Sequence, residues 1–284
     1  MREERPSATA WRVALGRAAH QVFDNPRVFD DPLALRIVGA YSQGRTPETF
    51  FRERYKRTVR ASFLRAVVTV RSRIAEDELA RAITSGVRQY VLLGAGLDTF
   101  AYRNPYSDLR VFEVDHPATQ GWKRQILHRA RIAEPDSLTF VPVDFERQTA
   151  MEGLSAAGFD RALPACFAWL GVTMYLQEEV VYAVLRDIAA LAPASSVTFD
   201  YALAKSEMGL LSRLIVALSN RRLKRIGEPW ITFFNPPLLA SKLRSIGFRE
   251  TRNLGPGEIN RTYFAGRSDG LRVSSVAHVM IASV

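Results

Sequence analysis

The 284-residue chain contains a single cysteine, Cys166. An intrachain disulfide and a multi-thiolate zinc site are therefore both excluded, and no metal site is expected. Nowhere do the roughly 18 uninterrupted apolar residues of a membrane helix occur, and the opening MREERPSATAWR lacks the apolar core of a secretory signal. These absences predict a soluble, cytoplasmic protein with no membrane partner. Lysine is scarce, confined to positions 56, 123, 205, 224 and 242, so the formal charge of +10 is carried almost wholly by arginine. A basic excess of this size invites a nucleic-acid reading. Arginine-rich composition on a solvated surface explains it as well, and nucleic acid is not expected as a partner. The densest stretch, FFRERYKRTVRASFLR over residues 50–65, reads as an amphipathic helix with a basic face, which a local anionic ligand would suffice to explain.

Internal repeats and low-complexity tracts are also missing, and 47% hydrophobic residues can bury a substantial core. One domain over 1–284 is expected, in four parts. Residues 1–85 show no convincing strand and read as a helical extension, in which FDDPLALRIVGAY offers Asp31 as an N-cap with Pro32 at the first helical position. Residues 86–201 carry VRQYVLLG, DLRVFEVD, SLTFVPVDF, PACFAWLG and SSVTFDYA, short apolar runs separated by helix-compatible segments. Near-continuous apolar strands alternating with helices describe a parallel sheet covered on both faces, an α/β fold. Residues 202–237, with MGLLSRLIVALSN and RRLKR, read as a helical insertion or lid near the mouth of the site. Residues 238–284 hold a crossover helix in SKLRSIGF and two closing strands, FRETRNL and VAHVMIASV.

The first strand runs into Gly94-Ala95-Gly96, with Asp98 two residues on. A P-loop would need a downstream Gly-Lys-Ser/Thr, which is absent. A nicotinamide or flavin site calls for a third glycine three residues after Gly96, where Thr99 stands. Asp98, placed at the start of a helix, would repel a pyrophosphate and favour a cationic ligand. The second strand ends at Glu113-Val114-Asp115, an acid about 20 residues beyond the first glycine, the usual spacing for gripping ribose hydroxyls. Glu113 shares a face with Asp115, but only Asp115 stands at the strand's end. The third strand leads to Asp144-Phe145, an acid and an aromatic suited to the amine and ring face of adenine. Each residue has a plain structural alternative: turn relief for the glycines, helix capping for Asp98 and Asp144. Taken one per strand end, they fit S-adenosyl-L-methionine, which carries adenine, ribose and a positive sulfonium but no phosphate.

The segments LLGAGLDT, FEVDHP, VDFE, WLGVTMYL and YFAGRSDGLR resemble the leucine carboxyl methyltransferase-like family of class I S-adenosyl-L-methionine-dependent methyltransferases. Within it the chain is similar to the bacterial branch linked to O-methylation of secondary metabolites. The similarity extends from FDDPLALRIV and VRSRIAEDELA to the C-terminus. The resemblance implies a Rossmann-like sheet, mostly parallel with an antiparallel C-terminal edge, plus an N-terminal helical extension and a helical insertion after the fifth strand. It implies that Arg73 in VRSRIAED binds the methionine carboxylate of the cofactor, with Arg71 as the alternative. It implies further that Gly94, Ala95 and Gly96 approach the cofactor beside Asp98, that Asp115 binds ribose, and that Asp144 with Phe145 frames adenine. Tyr175 corresponds to the tyrosine of the WLGVTMYL motif. Leu170 is a departure at a cofactor-lining position: family members often carry glutamate there, so one polar contact is missing. That difference weakens any transfer of protein-substrate specificity.

A carboxylate acceptor, with an ordinary pKa of about 4, is ionised at neutral pH and needs only to be oriented; a phenol near 10 would gain from a general base. The four histidines, His20, His116, His128 and His278, form no base constellation, and His116 reads as a strand-end structural residue. The expected reaction is O-methylation of a carboxylate or acidic (including phenolic) hydroxyl of a small molecule held by Tyr175, Tyr201, Arg261, Tyr263 and Arg267. Trp230, Phe233 and Phe234, with Pro236-Pro237, read as either a flat apolar pocket or a packed loop. Two other readings stay open: a non-catalytic cofactor- or nucleic-acid-binding module, and an NAD-type oxidoreductase.

Overall fold

The computed structural model describes residues 8–40, 51, 59–144 and 148–284. Much of the expected basic helix over 50–65, and Phe145, lie outside the described residues. The helices α1 (Ala8–Phe23), α2 (Pro32–Gly39) and α3 (Val59–Thr84) precede the sheet. The second begins as its residues dictate, since the Asp31 side chain accepts from the Ala34 N–H and Pro32 occupies the first helical position.

The strands β1 (Gln89–Leu93), β2 (Arg110–Asp115), β3 (Leu138–Pro142), β4 (Ala165–Trp169), β5 (Ser196–Ala202), β6 (Glu250–Leu254) and β7 (Ala277–Ser283) form one sheet in the order β3-β2-β1-β4-β5-β7-β6. The first five pair in parallel, and β7 runs antiparallel to both β5 and β6. This is the mostly parallel sheet with an antiparallel C-terminal edge that the sequence implied. Helix α4 (Pro117–Arg129) joins β2 to β3. Every residue of β1 and β4 is buried, because apolar layers cover both faces. On one face Val91, Leu93, Phe112, Phe167, Trp169 and Phe199 pack under α5 (Ala150–Ala156), α6 (Glu178–Ala189) and α8 (Pro236–Ser245). On the other, Tyr90, Leu92, Cys166 and Ala168 pack against Ala75 and Leu79 of α3.

That second face carries the main departure from expectation. Parallel neighbours are usually joined by a helix, yet β1 and β2 are joined by a loop holding only one 3-10 turn, Phe100–Arg103. The N-terminal extension supplies the missing cover through α3. After β5 the insertion forms α7 (Leu210–Arg225) and returns to pair Phe234 with Leu203. An unexpected helix, α9 (Pro256–Tyr263), follows β6; Ile259 and Phe264, with Leu271 and Val273 beyond, pack with Val70 and Ile74 of α3.

Two buried charge clusters fasten the extension. Arg17 of α1 donates to Asp98 Oδ2 (2.9 Å) and to the Leu97 carbonyl, and its Nε lies 3.4 Å from Asp31 Oδ2. Thr99 donates to Asp31 Oδ1 (2.8 Å), while Arg103 donates to Thr99 (3.2 Å) and pairs with Glu76 of α3. All three helices thus converge on the loop after β1. In the second cluster Arg65 binds both oxygens of Asp24 (2.9 and 3.1 Å), and His20 Nδ1 lies 2.8 Å from Asp24 Oδ2. His20 Nε2 accepts from the N–H groups of Val28 and Phe29, so Nδ1 carries the proton and donates to Asp24.

Burial pushes the Asp24 carboxyl up, but the hydrogen bonds from His20 and Arg65, with the Arg65 charge, outweigh it and leave it below its ordinary 3.8. A depressed folded value means that the stabilisation is complete above the unfolded value and is lost as pH falls through the folded one. Urea unfolding of the wild type and of Asp24→Asn should therefore differ at neutral pH, and the gap should shrink as pH falls below 3.8. A gap that persists unchanged in strong acid would show that the Asp24 charge contributes nothing.

Candidate active site

The turn after β1 needs glycine for two reasons. Gly94 and Gly96 have φ of +67° and +51°, a region that L side chains adopt with strain, and a Cβ on Gly94 would overlap Val172 from the loop after β4. The Gly94 and Ala95 N–H groups donate to the Val114 carbonyl, which fixes the turn beside the end of β2. There Asp115 accepts from the Gly96 N–H through Oδ2 (2.5 Å) and from the His116 N–H through Oδ1 (2.7 Å). A carboxylate has about four lone-pair sites, so both oxygens keep capacity for hydroxyl donors. Burial pushes the Asp115 carboxyl up, against the pull of those two N–H groups. The Val143 N–H donates to the Asp115 carbonyl (2.9 Å), bringing Asp144 to the same edge.

Glu113 is turned to a different task. It is fully buried and accepts from Lys123 Nζ (2.6 Å); burial pushes its carboxyl up to about 7 even with Lys123 beside it. His116 caps α4, its Nδ1 accepting from the Ala118 N–H (3.2 Å), in line with the structural reading of that residue. Asp98 requires a correction. No α-helix follows it, its Oδ1 accepts from the Phe100 N–H (2.8 Å), and its Oδ2 faces the Arg17 guanidinium. A helix dipole and an unbalanced negative charge are both missing, so Asp98 carries no argument about the sign of a ligand. It anchors α1 instead.

Across the site, the loop after β4 holds the cation. Gly171, at φ +74°, donates its N–H to Asp200 Oδ1 (2.5 Å), and Arg71 Nη1 donates to Asp200 Oδ2 (2.8 Å). A Cβ on Gly171 would lie 2.6–3.0 Å from the Arg71 guanidinium, so arginine and loop are in direct contact. Arg73 is placed elsewhere: two residues further along a helix the side chain has turned about 200°, and Arg73 is exposed and paired with Asp77 (2.7 Å). The structure thus brings Arg71, and not Arg73, to the carboxyl end of the sheet. Asp200 was missed in the sequence, although an acid within the otherwise apolar SSVTFDYA was a usable signal. Leu170 packs against the α3-side core.

Tyr175 closes a 3-10 turn, Thr173–Tyr175, where three parts of the chain meet. The insertion returns over it, with the Ile231 N–H donating to the Met174 carbonyl (2.8 Å) and Thr232 to the Leu176 carbonyl (2.5 Å). The Thr9 N–H at the start of α1 donates to Glu228 of the insertion (3.1 Å). Burial pushes the Tyr175 phenol up; at neutral pH it is a donor, not a base.

The remaining acceptor candidates are not gathered here. Tyr201 is buried and donates to Asn253 Oδ1 (2.9 Å), Tyr263 donates to Asp77 on α3 (3.1 Å), Arg267 binds Asp269 and the Pro26 carbonyl, and Arg261 is exposed on α9. The reason is the apolar packing of α9 and its following loop onto α3, which draws this segment along that helix. Of the aromatic set, Phe234 packs with Tyr182 and Tyr201, and Phe233 and Trp230 pack with Leu203, Met208 and Val216. That is the packed-loop alternative. Among the described residues no group of three or more His, Cys, Asp or Glu could hold a metal ion.

The glycine turn therefore lies between an acidic edge, Asp115 with Asp144, and a cation, Arg71. This donor set suits a group with hydroxyls at one end and a carboxylate at the other. A leucine carboxyl methyltransferase family model matches residues 10–189. The chain belongs to that family. Among its relatives, a Bacillus subtilis chain named as an S-adenosyl-L-methionine-dependent methyltransferase, YktD, is 31% identical with 99% of each chain covered. A Frankia alni chain named in the same way is 38% identical over 66% of each. A methyltransferase structure from Thermobifida fusca superposes with a TM-score of 0.58 at 16% identity, covering 99% of this chain and 96% of that one. A DUF574 protein from Streptomyces avermitilis gives 0.57 at 14%, covering 94% and 96%. At such identities the likeness speaks for the fold alone.

The two constraints on Gly171 combine in one test. Gly171→Ala adds a Cβ at positive φ and against Arg71, and should lower Tm by about 2–4 °C or more. An unchanged melting curve would mean that the loop and Arg71 give way freely.

Proposed function

We propose that this member of the family transfers a methyl group from S-adenosyl-L-methionine to an oxygen of a small acidic molecule, a carboxylate or an acidic hydroxyl, of the kind found among secondary metabolites. The methyltransferase assignment itself follows from family membership. When bound, the cofactor supplies an electrophilic methyl on a positively charged sulfur. The observation that carries the reading is the division of hydrogen-bonding groups across the glycine turn, acceptors on Asp115 at the end of β2 and guanidinium donors on Arg71, held by Asp200 against Gly171. In this reading Asp115 receives ribose hydroxyls, Asp144 the adenine amine and Arg71 the amino-acid carboxylate. Asp200 is bonded through one terminal nitrogen of Arg71; the fork geometry of guanidinium suits a second carboxylate.

Tyr175 is the one acceptor candidate retained, as a hydrogen-bond donor that orients the acceptor. The other four are left out because their side chains are engaged or exposed elsewhere. An acceptor already ionised at neutral pH matches a site whose phenol is pushed up and whose neighbouring His116 is a helix cap. Orientation then supplies the rate enhancement, for which well-aligned intramolecular reactions set a ceiling of about 7–11 kcal/mol.

Calorimetric titration with S-adenosylhomocysteine tests the cofactor half. Arg71→Met and Asp115→Ala should each weaken binding by about 10-fold or more, the worth of a charge-assisted hydrogen bond, whereas Arg73→Met should leave it within about 2-fold. Equal losses at Arg71 and Arg73 would remove the assignment. Mass-spectrometric detection of methylated product from a panel of carboxylic acids and phenols tests the acceptor half. With cofactor saturating, turnover of a carboxylic acid should persist at about pH 6, well above its own pKa. Methylation confined to nitrogen or carbon would overturn the acceptor class and leave the cofactor assignment standing.

A further inference from the structure

The insertion helix α7 (Leu210–Arg225) turns Val216 and Leu223 inward; Val216 packs onto Leu203, Met208 and Phe233. Its outer side is apolar at one end and cationic at the other. Leu210, Leu211, Leu214, Ile215 and Leu218 are 49–83% exposed. With about 3.6 residues per turn, positions 211, 214, 215 and 218 share one stripe, and Arg221, Arg222 and Arg225 continue that stripe through the last turns. From Met208 to Gly227 the sequence holds no acid, and Arg213, Arg221, Arg222, Lys224 and Arg225 are all exposed. Five large aliphatic side chains on one face of a soluble domain are too many to leave in water without a partner.

The two halves of this face narrow the choice of partner. Nucleic acid would satisfy the arginines but offers nothing to a row of leucines. A second copy of this chain brings the same five cations and the same charge of +10, so electrostatics oppose that pairing. An anionic lipid surface accepts both, taking the aliphatic stripe at the boundary of headgroups and acyl chains and the arginines among its phosphates. We propose that α7 docks this methyltransferase on an anionic bilayer surface, leucine stripe inward and the Arg221–Arg225 turns at the lipid phosphates. Contact of this kind is peripheral: no helix among the described residues is long and apolar enough to cross a membrane. It revises the expectation that a membrane is no partner at all. The docked helix leads directly into Glu228–Phe234, the segment that reaches Thr9, Met174 and Leu176 beside Tyr175, so the lipid face adjoins the candidate site.

Co-sedimentation of the full chain with vesicles tests the proposal. The chain should partition onto vesicles of equal parts phosphatidylglycerol and phosphatidylcholine, more weakly as salt rises, and not onto phosphatidylcholine alone. R221A/R222A/R225A should lower the partition coefficient about 100-fold at low salt. L211S/L214S/L218S should abolish partition while keeping the wild-type circular dichroism melt, because these side chains are exposed in the fold. No partition onto anionic vesicles, equal partition onto both lipids, or wild-type partition by the leucine variant would each overturn the proposal. So would a dimer, seen by light scattering without vesicle binding, that the leucine variant dissociates; the occupant of the face would then be a second copy.

Discussion

Between β1 and β2 the chain makes a single turn of 3-10 helix, and the sheet face around Tyr90, Leu92 and Cys166 would lie open to water without α3. An apolar parallel sheet tolerates no such exposure. Covering that face is what ties the N-terminal extension to the core, and it has a chemical consequence. The same helix that buries Ala75 and Leu79 carries Arg71 one turn earlier, over Gly171 at the carboxyl end of β4. Fold stability and the placement of the site's cation therefore depend on one packing surface.

Among the described residues, buried charges are answered by partners. Arg17 is set against Asp31 and Asp98, Glu113 against Lys123, Asp24 against Arg65 and His20, and Arg71 against Asp200. Desolvation makes such pairs weak sources of net stability, while the loss of one partner is strongly unfavourable. Their value here is positional: Arg17 with Asp98, Arg65 with Asp24 and Arg71 with Asp200 join residues 81, 41 and 129 positions apart. The Arg17 cluster draws α1, α2 and α3 onto the loop that follows the glycine turn, and the Asp200 pair sets a guanidinium against a loop backbone that has no Cβ in the way.

The insertion and the extension meet over Tyr175, through Thr9 and Glu228 on one side and Ile231 and Met174 on the other. Residues 219 positions apart in the chain thus meet at one corner of the candidate site. The insertion also explains the aromatic residues after α7. Phe233 and Phe234 fill the space between the returning segment and the sheet edge, and so hold the insertion against the core.

Much of this was legible in the sequence. Apolar runs bounded by glycine and acid marked the strands, Asp31-Pro32 marked the start of α2, and the spacing from Gly94 to Asp115 marked the acid that folds beside the glycine turn, because these signals are local and follow from backbone geometry. The partner of each charge was not legible. Arg71 and Arg73 stand two residues apart in a basic stretch, and only the packing of α3 turns one inward and the other to solvent. Asp98 reads as a group facing a ligand until α1 folds back and sets Arg17 against it, 81 residues away in sequence. The C-terminal tyrosine and arginines looked available for an acceptor until α9 packed along α3. Sequence alone determined the parallel sheet and the glycine turn with its acid, since each depends on residues close together in the chain. Tertiary structure decided which charges face the ligand, since that depends on which distant side chains are buried against them.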